Sequence, residues 1–438
     1  MDDSSESWAQ GVPFREALRT WVRVAVHSFG GPAGQIAVIH RVVVDEKRWV
    51  DEEHFLHALS YCLLLPGPEA QQLVTYLGWL LHGTRGGLIA GLLFVLPGFL
   101  SILVLSLLYV TYQEVAFVSA VFYGLKPAVL AIVLEAVFRL KRRAVADRRS
   151  TLVAALAFLA IFALGIPFPL IILAAAAVGY ILGTPRGDAV PAPRATAAPI
   201  GYTLRTAALW LAIWLVPVIG LVLALGRGHV LVREALFFSK AAVVTFGGAY
   251  AVLAYVAQQA VDVYHWLAPG EMLDGLGLAE TTPGPLIMVT QFVGFVGASR
   301  QPGDLHPLLA GVAGSVVTTW VTFTPCFLFV LAGAPWIERL RGNRALNAAL
   351  RGIMAAVVGV VLNLAAWFAL HTVFADVRDV TWGPLALPVP RRASVDVGAA
   401  LIAALAAFAV FRLRWGMFAV LGAGAAAGLL IRLLVTLP

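Results

Sequence analysis

Residues 66–72 read PGPEAQQ, and the tripeptide PGP returns at 283–285. Each copy lies inside a long apolar stretch, where proline interrupts a helix because it removes a backbone hydrogen bond and clashes with the preceding turn. The 438 residues are 60% hydrophobic and 13% charged, and the mean hydropathy is +0.87. A soluble domain usually carries about 25% charged residues. The composition therefore predicts an all-α polytopic membrane protein that breaks its helices twice in the same way.

The basic residues cluster in short loops. The formal net charge is +7, and Lys and Arg are densest in RLKRRAVADRR (139–149) and RLRGNR (339–344). Cytoplasmic loops of membrane proteins have this distribution, so it indicates a lipid bilayer as the partner and argues against nucleic acid. The acidic N-terminus has no signal-peptide core, so we expect the first span to direct insertion.

The sequence offers no motif for catalysis or for metal binding. Cys62 and Cys326 both lie in apolar segments, which gives neither a disulfide framework nor metal-ligand spacing. The sequence has no nucleotide-binding P-loop, no catalytic triad pattern and no His/Glu metal motif. We therefore expect no cofactor, no metal and no enzymatic activity.

Apolar windows predict thirteen membrane segments, some of them interrupted. They lie near 17–43, 55–82, 86–112, 115–138, 151–164, 167–183, 204–226, 231–260, 272–298, 306–334, 345–371, 396–413 and 416–436. The predicted division is a cytoplasmic N-terminus (1–16), a first repeat (17–183), a Pro-, Ala- and Thr-rich linker (184–203), an extra connecting span (204–226) and a second repeat (227–438). Twelve spans would follow if 151–183 crosses the membrane once.

The positions of Lys and Arg also predict the orientation. With the N-terminus in the cytoplasm, 18 of the 31 Lys and Arg fall on the inner side, 9 on the outer side and 4 within spans. Positive charge is retained on the cytoplasmic side. The N-terminus is therefore predicted inside and the C-terminus outside.

The two halves of the chain are related in sequence. At an offset of 217 residues, SFGG (28–31) matches TFGG (245–248), Trp49 matches Trp266, and PGP matches PGP. LKPAV (125–129) matches LRGIM (350–354) at an offset of 225. The extra span reverses the second half, so we predict inverted repeats. Secondary transporters commonly have this architecture and bind substrate near the midplane between the repeats.

The duplicated breaks predict a binding site. A break is tolerated in a membrane only where protein or a water-filled cavity covers its exposed backbone groups. The helix that follows presents unpaired N–H groups and a partial positive charge, which attract an anion. FGGP (29–32) and PGP, with their counterparts in the second half, predict four half-helix ends around one anion site. The alternative is that each kink serves packing alone.

Two repeat-related pairs of cations lie at membrane depth. Arg23 matches Lys240 at the 217 offset, and Lys126 matches Arg351 at the 225 offset. A cation within the bilayer is costly unless it is paired or hydrated, so it is a candidate for function. The pairs predict a basic cavity that suits a dianion. The alternative is that these side chains extend to the membrane surface.

Acidic and polar side chains complete the set of candidates. Glu69 follows the first PGP, where the helix dipole favours its charge, while Glu135 and Glu280 lie in or beside apolar stretches. Each could carry a coupling proton, and Glu69 and Glu135 could equally be structural. Neutral hydrogen-bond donors to an oxyanion are Gln71, Gln72, Ser28 and Thr245.

Three long stretches resemble the chromate ion transporter (CHR) family in its two-domain form: SFGGPAGQIAVIHR (28–41), HFLHALSYCLLLPGPEAQQLVTYLGWLLHG (54–83) and GLAETTPGPLIMVTQFVGF (277–295). The resemblance covers essentially the whole chain. It implies a multi-pass protein of the bacterial inner (plasma) membrane that exports chromate and confers chromate resistance, with sulfate as a competitor. Both anions are tetrahedral and carry two negative charges, which suits a basic cavity. The oligomeric state is left open, a homodimer included.

The resemblance implies that the residues of the helix breaks themselves are functional. These residues are Gly30, Gly31, Pro32, Pro66, Gly67, Pro68, Glu69 and Gln72 in the first half, and Gly247, Gly248, Pro283, Gly284 and Pro285 in the second. The second copy departs from the first, because FGGA replaces FGGP and PGPL replaces PGPE. The two halves therefore need not contribute equally.

The sequence favours a secondary transporter of chromate, energised by the membrane potential or by proton or anion exchange. Sulfate or another oxyanion as the main substrate is one alternative, and an anion channel of the same architecture is another. Saturable, counter-flow-competent flux would indicate a carrier. A membrane chromate reductase finds neither a cofactor motif nor a cysteine pair.

Overall fold

A computed structural model describes residues 11–182, 200–246, 248–336, 344–383 and 385–436. Gly247 of the predicted site lies outside the described residues, as do residues 1–10 and most of the predicted linker. The chain forms two compact units, and each draws on three stretches of sequence. Unit 1 comprises Met1–Val104, Pro185–Val252 and Ala279–Asn347, and unit 2 comprises Leu105–Thr184, Leu253–Leu278 and Ala348–Pro438.

Sixteen α-helices run through the described residues. In chain order they are α1 (Phe14–His27), α2 (Gly31–His40), α3 (Glu52–Cys62), α4 (Glu69–Tyr112), α5 (Ala116–Ala144), α6 (Arg148–Phe162), α7 (Phe168–Leu182), α8 (Ile200–Leu225), α9 (Val230–Val244), α10 (Ala249–Gln258), α11 (Pro269–Thr281), α12 (Val289–Arg300), α13 (Pro307–Gly333), α14 (Arg344–Val373), α15 (Val397–Phe411) and α16 (Met417–Thr436). Strands β1 (Val377–Trp382) and β2 (Leu385–Pro390) form an antiparallel hairpin in unit 2.

Six helical segments of the described chain are long and apolar enough to cross a membrane. They are Glu69–Tyr112, Ala116–Ala144, Ile200–Leu225, Pro307–Trp336, Ala345–Val373 and Met417–Leu434. The predicted fold class, an all-α polytopic membrane protein, is confirmed. The number of thirteen segments stays a prediction, because the broken helices are each shorter than a bilayer requires.

Local sequence signals explain where several helices begin. The Asp51 carboxylate accepts a hydrogen bond from the His54 backbone N–H at the start of α3. That bond lowers the pKa of Asp51. Asp147 and Ser150 form a reciprocal capping box at the start of α6. Such caps satisfy N–H groups that have no partner inside the helix.

The core of unit 1 is aromatic and aliphatic. Trp21 of α1 packs edge-on against Trp49, with ring centroids 6.1 Å apart. Phe55 of α3 and Leu73 of α4 are fully buried in the same cluster. Burying large side chains contributes roughly 1.5–3 kcal/mol each where water is the alternative. The cluster therefore holds the short helices α1 to α3 against α4.

The order of elements recurs along the chain at the sequence offset. In the first half, α1 and α2 are separated by the FGG break, and a π-helical turn (Arg41–Glu46) follows α2. In the second half, α9 and α10 flank the matching break, and a π-helical turn (Gln259–Val263) follows α10. The inverted orientation of the repeats in a membrane stays a prediction.

Three boundaries differ from the sequence prediction or refine it. Helix α8 begins at Ile200, so the predicted linker (184–203) loses its last residues to this helix. Within α4 the backbone is non-helical at His82 and Gly83, so two helical segments meet at a sharp kink where the sequence predicts a gap after 82. The hairpin β1–β2 within the predicted second repeat (227–438) was not predicted, because two strands of six residues are too short to stand out as apolar segments.

Candidate functional site

Two backbone hydrogen bonds join the helix breaks of unit 1. The Gly284 N–H donates to the Ser28 carbonyl at 2.9 Å, and the Gly67 N–H donates to the Thr245 carbonyl at 2.8 Å. The two donors are 217 residues apart in the sequence, and so are the two acceptors. Each PGP break is therefore bound to the Gly-Gly break of the other half. We call residues 28–32, 66–69, 245–249 and 283–286 the helix-break site, Gly247 lying outside the described residues.

Glycine is required at two of these positions by both conformation and space. Gly67 has φ +128°, and a Cβ atom there would lie 2.9 Å from the Cys326 sulfur. Gly248 has φ +97°, and a Cβ atom there would lie 2.9 Å from Oε1 of Glu69. L-residues rarely adopt positive φ. The backbone can approach its neighbours this closely only because no side chain intervenes.

Each break is followed by the beginning of a helix. Helix α2 begins at Gly31 with Pro32 in its first turn, α4 begins at Glu69, and α10 begins at Ala249. After the second PGP, a 3₁₀ turn (Leu286–Met288) leads into α12. The first N–H groups of a helix have no internal partner and carry a partial positive charge. The site can therefore present several N–H groups to an anion.

Two buried carboxyl groups lie at these helix beginnings. Glu69 is 8% exposed and lies against Gly248 at the start of α10. Glu280 is 2% exposed and accepts a hydrogen bond from the Tyr250 hydroxyl. A Cβ atom on Gly31 would lie 3.8 Å from both Glu280 Oε2 and the Tyr250 oxygen. The protein thus supplies its own acids where an anion is favoured.

The predicted hydroxyl and amide donors bond to the protein backbone. Ser28 and Thr245 donate to the carbonyls of Val24 and Ala241, each at 2.6 Å. The Gln72 amide donates to Pro66 O at 2.7 Å. In this conformation each of these side chains fixes a break, and their role as donors to an oxyanion stays a prediction. Gln71 donates within α4, to Thr75.

Comparison with known proteins gives a family. The family model described as "Chromate transporter" matches residues 15–180 and 232–429. The chain is 32% identical over 372 residues to the chromate transport protein of Pseudomonas aeruginosa, covering 82% of each chain. It is 27% identical to the chromate transport protein of Cupriavidus metallidurans, covering 79% of this chain and 80% of that one. The chain belongs to the chromate transporter family.

Another relative is named only as a transporter. An uncharacterized transporter of Methanocaldococcus jannaschii is 26% identical over 358 residues, covering 80% of this chain and 83% of that one. No solved structure matches the chain. Family membership confirms the expectation of a transport protein rather than an enzyme.

The four predicted cations of this transporter are divided between the two units, two in each. Arg23 forms an ion pair with Glu46, and its side chain is 45% exposed. Lys240, also in unit 1, is exposed at the protein surface. In unit 2, Lys126 lies 3.4 Å from Asp274, and Arg351 is exposed. Arg23 and Lys126 each have an acidic partner, which offsets the charge that an anion would need.

Unit 2 of the transporter contains a cavity of about 210 Å³. Its polar lining includes Asp262, Asp379, His371 and Gln258, and none of the described lining residues is Lys or Arg. Burial, and then the neighbouring Asp379, raises the pKa of Asp262, which lies beyond the predicted span 231–260. When ionised, the two carboxyl groups repel a dianion, and the His371 imidazole is the one basic side chain among the described lining residues. This cavity does not suit chromate.

Sequence reasoning missed four polar residues inside the units. Gln35 donates to the Gly284 carbonyl at 2.6 Å, and Tyr250 bonds Glu280. Asp274 accepts from Tyr109 at 2.8 Å and pairs with Lys126. Glu234 is fully buried in α9. Of these four, only Asp274 and Glu234 could have been recognised from the sequence, because a carboxyl residue within an apolar segment is unusual.

Proposed function

We propose that this protein is a secondary transporter that exports chromate across the bacterial inner membrane, thereby conferring chromate resistance, and that the anion binds at the helix-break site. The observation that carries the proposal is the pair of bonds from Gly284 to Ser28 and from Gly67 to Thr245. The first bond joins the break before α2 to the break before α12, and the second joins the break before α4 to the break before α10. The names of the P. aeruginosa and C. metallidurans relatives support chromate as the substrate.

The carboxyl groups at the site set a condition for binding. A carboxylate and a dianion repel each other at close range, and the interior of a membrane protein strengthens that repulsion. Glu69 and Glu280 lie at the helix beginnings that would receive chromate. Chromate therefore binds when these groups are neutral or turn away, and the Tyr250 hydroxyl then donates to the anion.

The cations contribute at longer range. Arg23 and Lys240 lie on the helices that precede the two Gly-Gly breaks, α1 and α9. Their charge raises the local concentration of a dianion without direct coordination. The remaining members of the candidate set, Pro66, Pro68, Pro283 and Pro285 with Gly30, Gly31 and Gly247, shape the breaks.

The charge of the substrate favours the outward direction. Moving a dianion out of a cell with a negative interior gains roughly 4.6 kcal/mol per 100 mV of membrane potential. A carrier that moves chromate alone would therefore export it without a further energy source. Sulfate has the same charge and shape, so it is the natural competitor and the alternative main substrate.

The test is chromate flux into liposomes that contain the purified protein. We expect saturable uptake, acceleration by chromate on the opposite side, and inhibition by sulfate. Tyr250→Phe should weaken chromate binding about ten- to hundredfold, since a hydrogen bond to a charged group contributes about 1.5–3 kcal/mol. Tyr180→Phe is the matched control, because Tyr180 is 63% exposed.

Three outcomes would contradict the proposal in different ways. Flux that never saturates indicates an anion channel. Sulfate flux without chromate flux makes sulfate the substrate. Wild-type affinity in Tyr250→Phe moves the anion away from the helix-break site.

A further inference from the structure

Glu234 is a buried acid that the helix-break site does not use. It lies in α9 of unit 1, and its side chain is 0% exposed. Neither of its carboxyl oxygens has a hydrogen-bond partner among the described residues. A buried ionised carboxylate without a partner is strongly destabilising, whereas the neutral acid is tolerated far better. The structure therefore favours Glu234 in its protonated form.

On the described helices that pack most extensively against α9, no charged group pairs with Glu234. Helices α8, α12 and α13 pack against α9 in unit 1. The charged or titratable residues of these four helices are Arg233 and Lys240 on α9, Tyr202 and Arg205 on α8, Arg300 on α12 and Cys326 on α13. All four arginine and lysine side chains among them are exposed, and none of the six pairs with Glu234.

Helix α13 presents a row of hydroxyl groups that begins beside Glu234. A Cβ atom on Gly314 would lie 2.9 Å from Oε2 of Glu234, so the carboxyl contacts α13 one residue before Ser315. The hydroxyls of Ser315, Thr318 and Thr322 are all buried and have no hydrogen-bond partner among the described residues. Spacings of three and four residues place them on one face of the helix. We call these three residues the α13 hydroxyl row.

The row leads toward the helix-break site. Cys326 is one helical turn beyond Thr322, and its sulfur lies 2.9 Å from the Cβ position of Gly67 in the first PGP break. From Gly314 to Cys326 the helix rises about 18 Å, at about 1.5 Å per residue. One face of α13 therefore connects the buried acid to the break that binds Thr245.

Several polar atoms in one buried row require an explanation. Buried hydroxyl and carboxyl groups in native proteins are almost always hydrogen-bonded to protein or to water. A serine or threonine in a helix usually satisfies its hydroxyl by bonding the carbonyl four residues earlier, and Ser28 and Thr245 do so here. The α13 hydroxyl row does not. Its hydroxyls keep both donor and acceptor capacity, as a proton pathway through water or side chains requires.

We propose that Glu234 is a proton-binding site and that the α13 hydroxyl row conducts its proton to and from the helix break at Gly67, which couples chromate transport to proton movement. The proton adds to a carboxylate oxygen and leaves to water, so no other bond is made or broken. This inference rests on the proposed function of the helix-break site. It adds a second site, for H⁺, that the sequence motifs did not predict.

The test measures proton and chromate movement together in liposomes containing the full chain and an internal pH-sensitive dye. In the wild type, an imposed chromate gradient should change the internal pH. Glu234→Gln keeps the shape but cannot bind and release the proton. It should retain chromate–chromate exchange and lose the chromate-driven pH change. Glu114→Gln is the control, because Glu114 is exposed in the loop between α4 and α5.

A second variant keeps the test informative if Glu234→Gln does not fold. Thr318→Val preserves the shape of the side chain and removes the hydroxyl. It should slow proton movement about tenfold, because the pathway loses one hydrogen bond and the loss of one such bond corresponds to about a factor of ten. Chromate exchange should be unchanged. Ser299→Ala is the matched control, because this buried hydroxyl donates to the Val296 carbonyl and should have no effect.

The outcomes separate this inference from the proposed function. If the wild type moves no chromate, the proposed function fails. If chromate moves but the pH change persists in Glu234→Gln, or in Thr318→Val at the wild-type rate, the proton site is wrong. If replacing sodium by choline abolishes chromate movement, the acid and its hydroxyls bind Na⁺ instead and the proton inference is overturned.

Discussion

At the scale of single residues, Gly248 shows how closely the helix-break site is packed. Its φ of +97° is strained for any residue with a side chain, and Oε1 of Glu69 occupies the space that a Cβ atom would need. A positive φ costs a non-glycine residue roughly 1–2 kcal/mol. An added methyl group must therefore displace the carboxyl group, rotate the backbone, or both.

We predict that Gly248→Ala lowers chromate flux about tenfold or more, since roughly 1.4 kcal/mol of strain at the site corresponds to a factor of ten. The measurement is the initial rate of chromate uptake at matched protein content. Gly220→Ala is the control, because a Cβ atom there has no neighbour within 4 Å and Gly220 lies inside α8. Equal flux in both variants would show that Glu69 and α10 do not need this contact.

At the scale of elements, one buried acid joins three helices in unit 2. Asp274 of α11 is 3% exposed, accepts a hydrogen bond from Tyr109 near the end of α4, and pairs with Lys126 of α5. Lys126 also lies close to the first turn of α11, since a Cβ atom on Gly270 would be 2.9 Å from its ammonium nitrogen. The lysine is therefore placed to stabilise the fold of unit 2.

We predict that Lys126→Met lowers the free energy of unfolding by about 1–3 kcal/mol, because it leaves a buried charged group without its partner. The double variant Lys126→Met/Asp274→Asn should recover most of that loss, since both charges are then absent. Thermal unfolding in detergent measures both. A ligand role for Lys126 predicts the reverse: unchanged unfolding of Lys126→Met, with a large loss of chromate affinity.

The elements also show what sequence could and could not predict. The helix breaks at 28–32 and 66–69 were predictable because Pro and Gly act through the local backbone. The bond from Gln35 to Gly284 was not, because it joins residues 249 positions apart. The ion pairs of Arg23 with Glu46 and of Lys126 with Asp274 were missed because they too join residues that are distant in sequence. The basic cavity stays a prediction.

At the scale of the whole molecule, the surface of the helices is apolar where lipid would contact it. In α8, only 17% of the most apolar window is buried by protein, and Leu223 is 81% exposed. In water this exposure would strongly destabilise the protein, whereas hydrocarbon accommodates it. Composition alone predicted this feature, since 60% of the residues are hydrophobic.

The orientation in the membrane follows from charge and is the remaining prediction at this scale. The inner side receives 18 of the Lys and Arg and the outer side 9 if the N-terminus is cytoplasmic and thirteen segments cross. Translocating a loop rich in Lys and Arg is unfavourable, so the dense loop at 139–149 remains inside. An odd number of crossings then places the end of α16 outside.

Alkaline phosphatase folds actively only outside the cytoplasm, so its fusion to the C-terminus should be active, and a fluorescent protein fused there should be dark. The control is the same pair of fusions within 139–149, which should give the opposite signals. A fluorescent C-terminus would reduce the number of crossings to an even one, and 151–183 would then be the segment that crosses once.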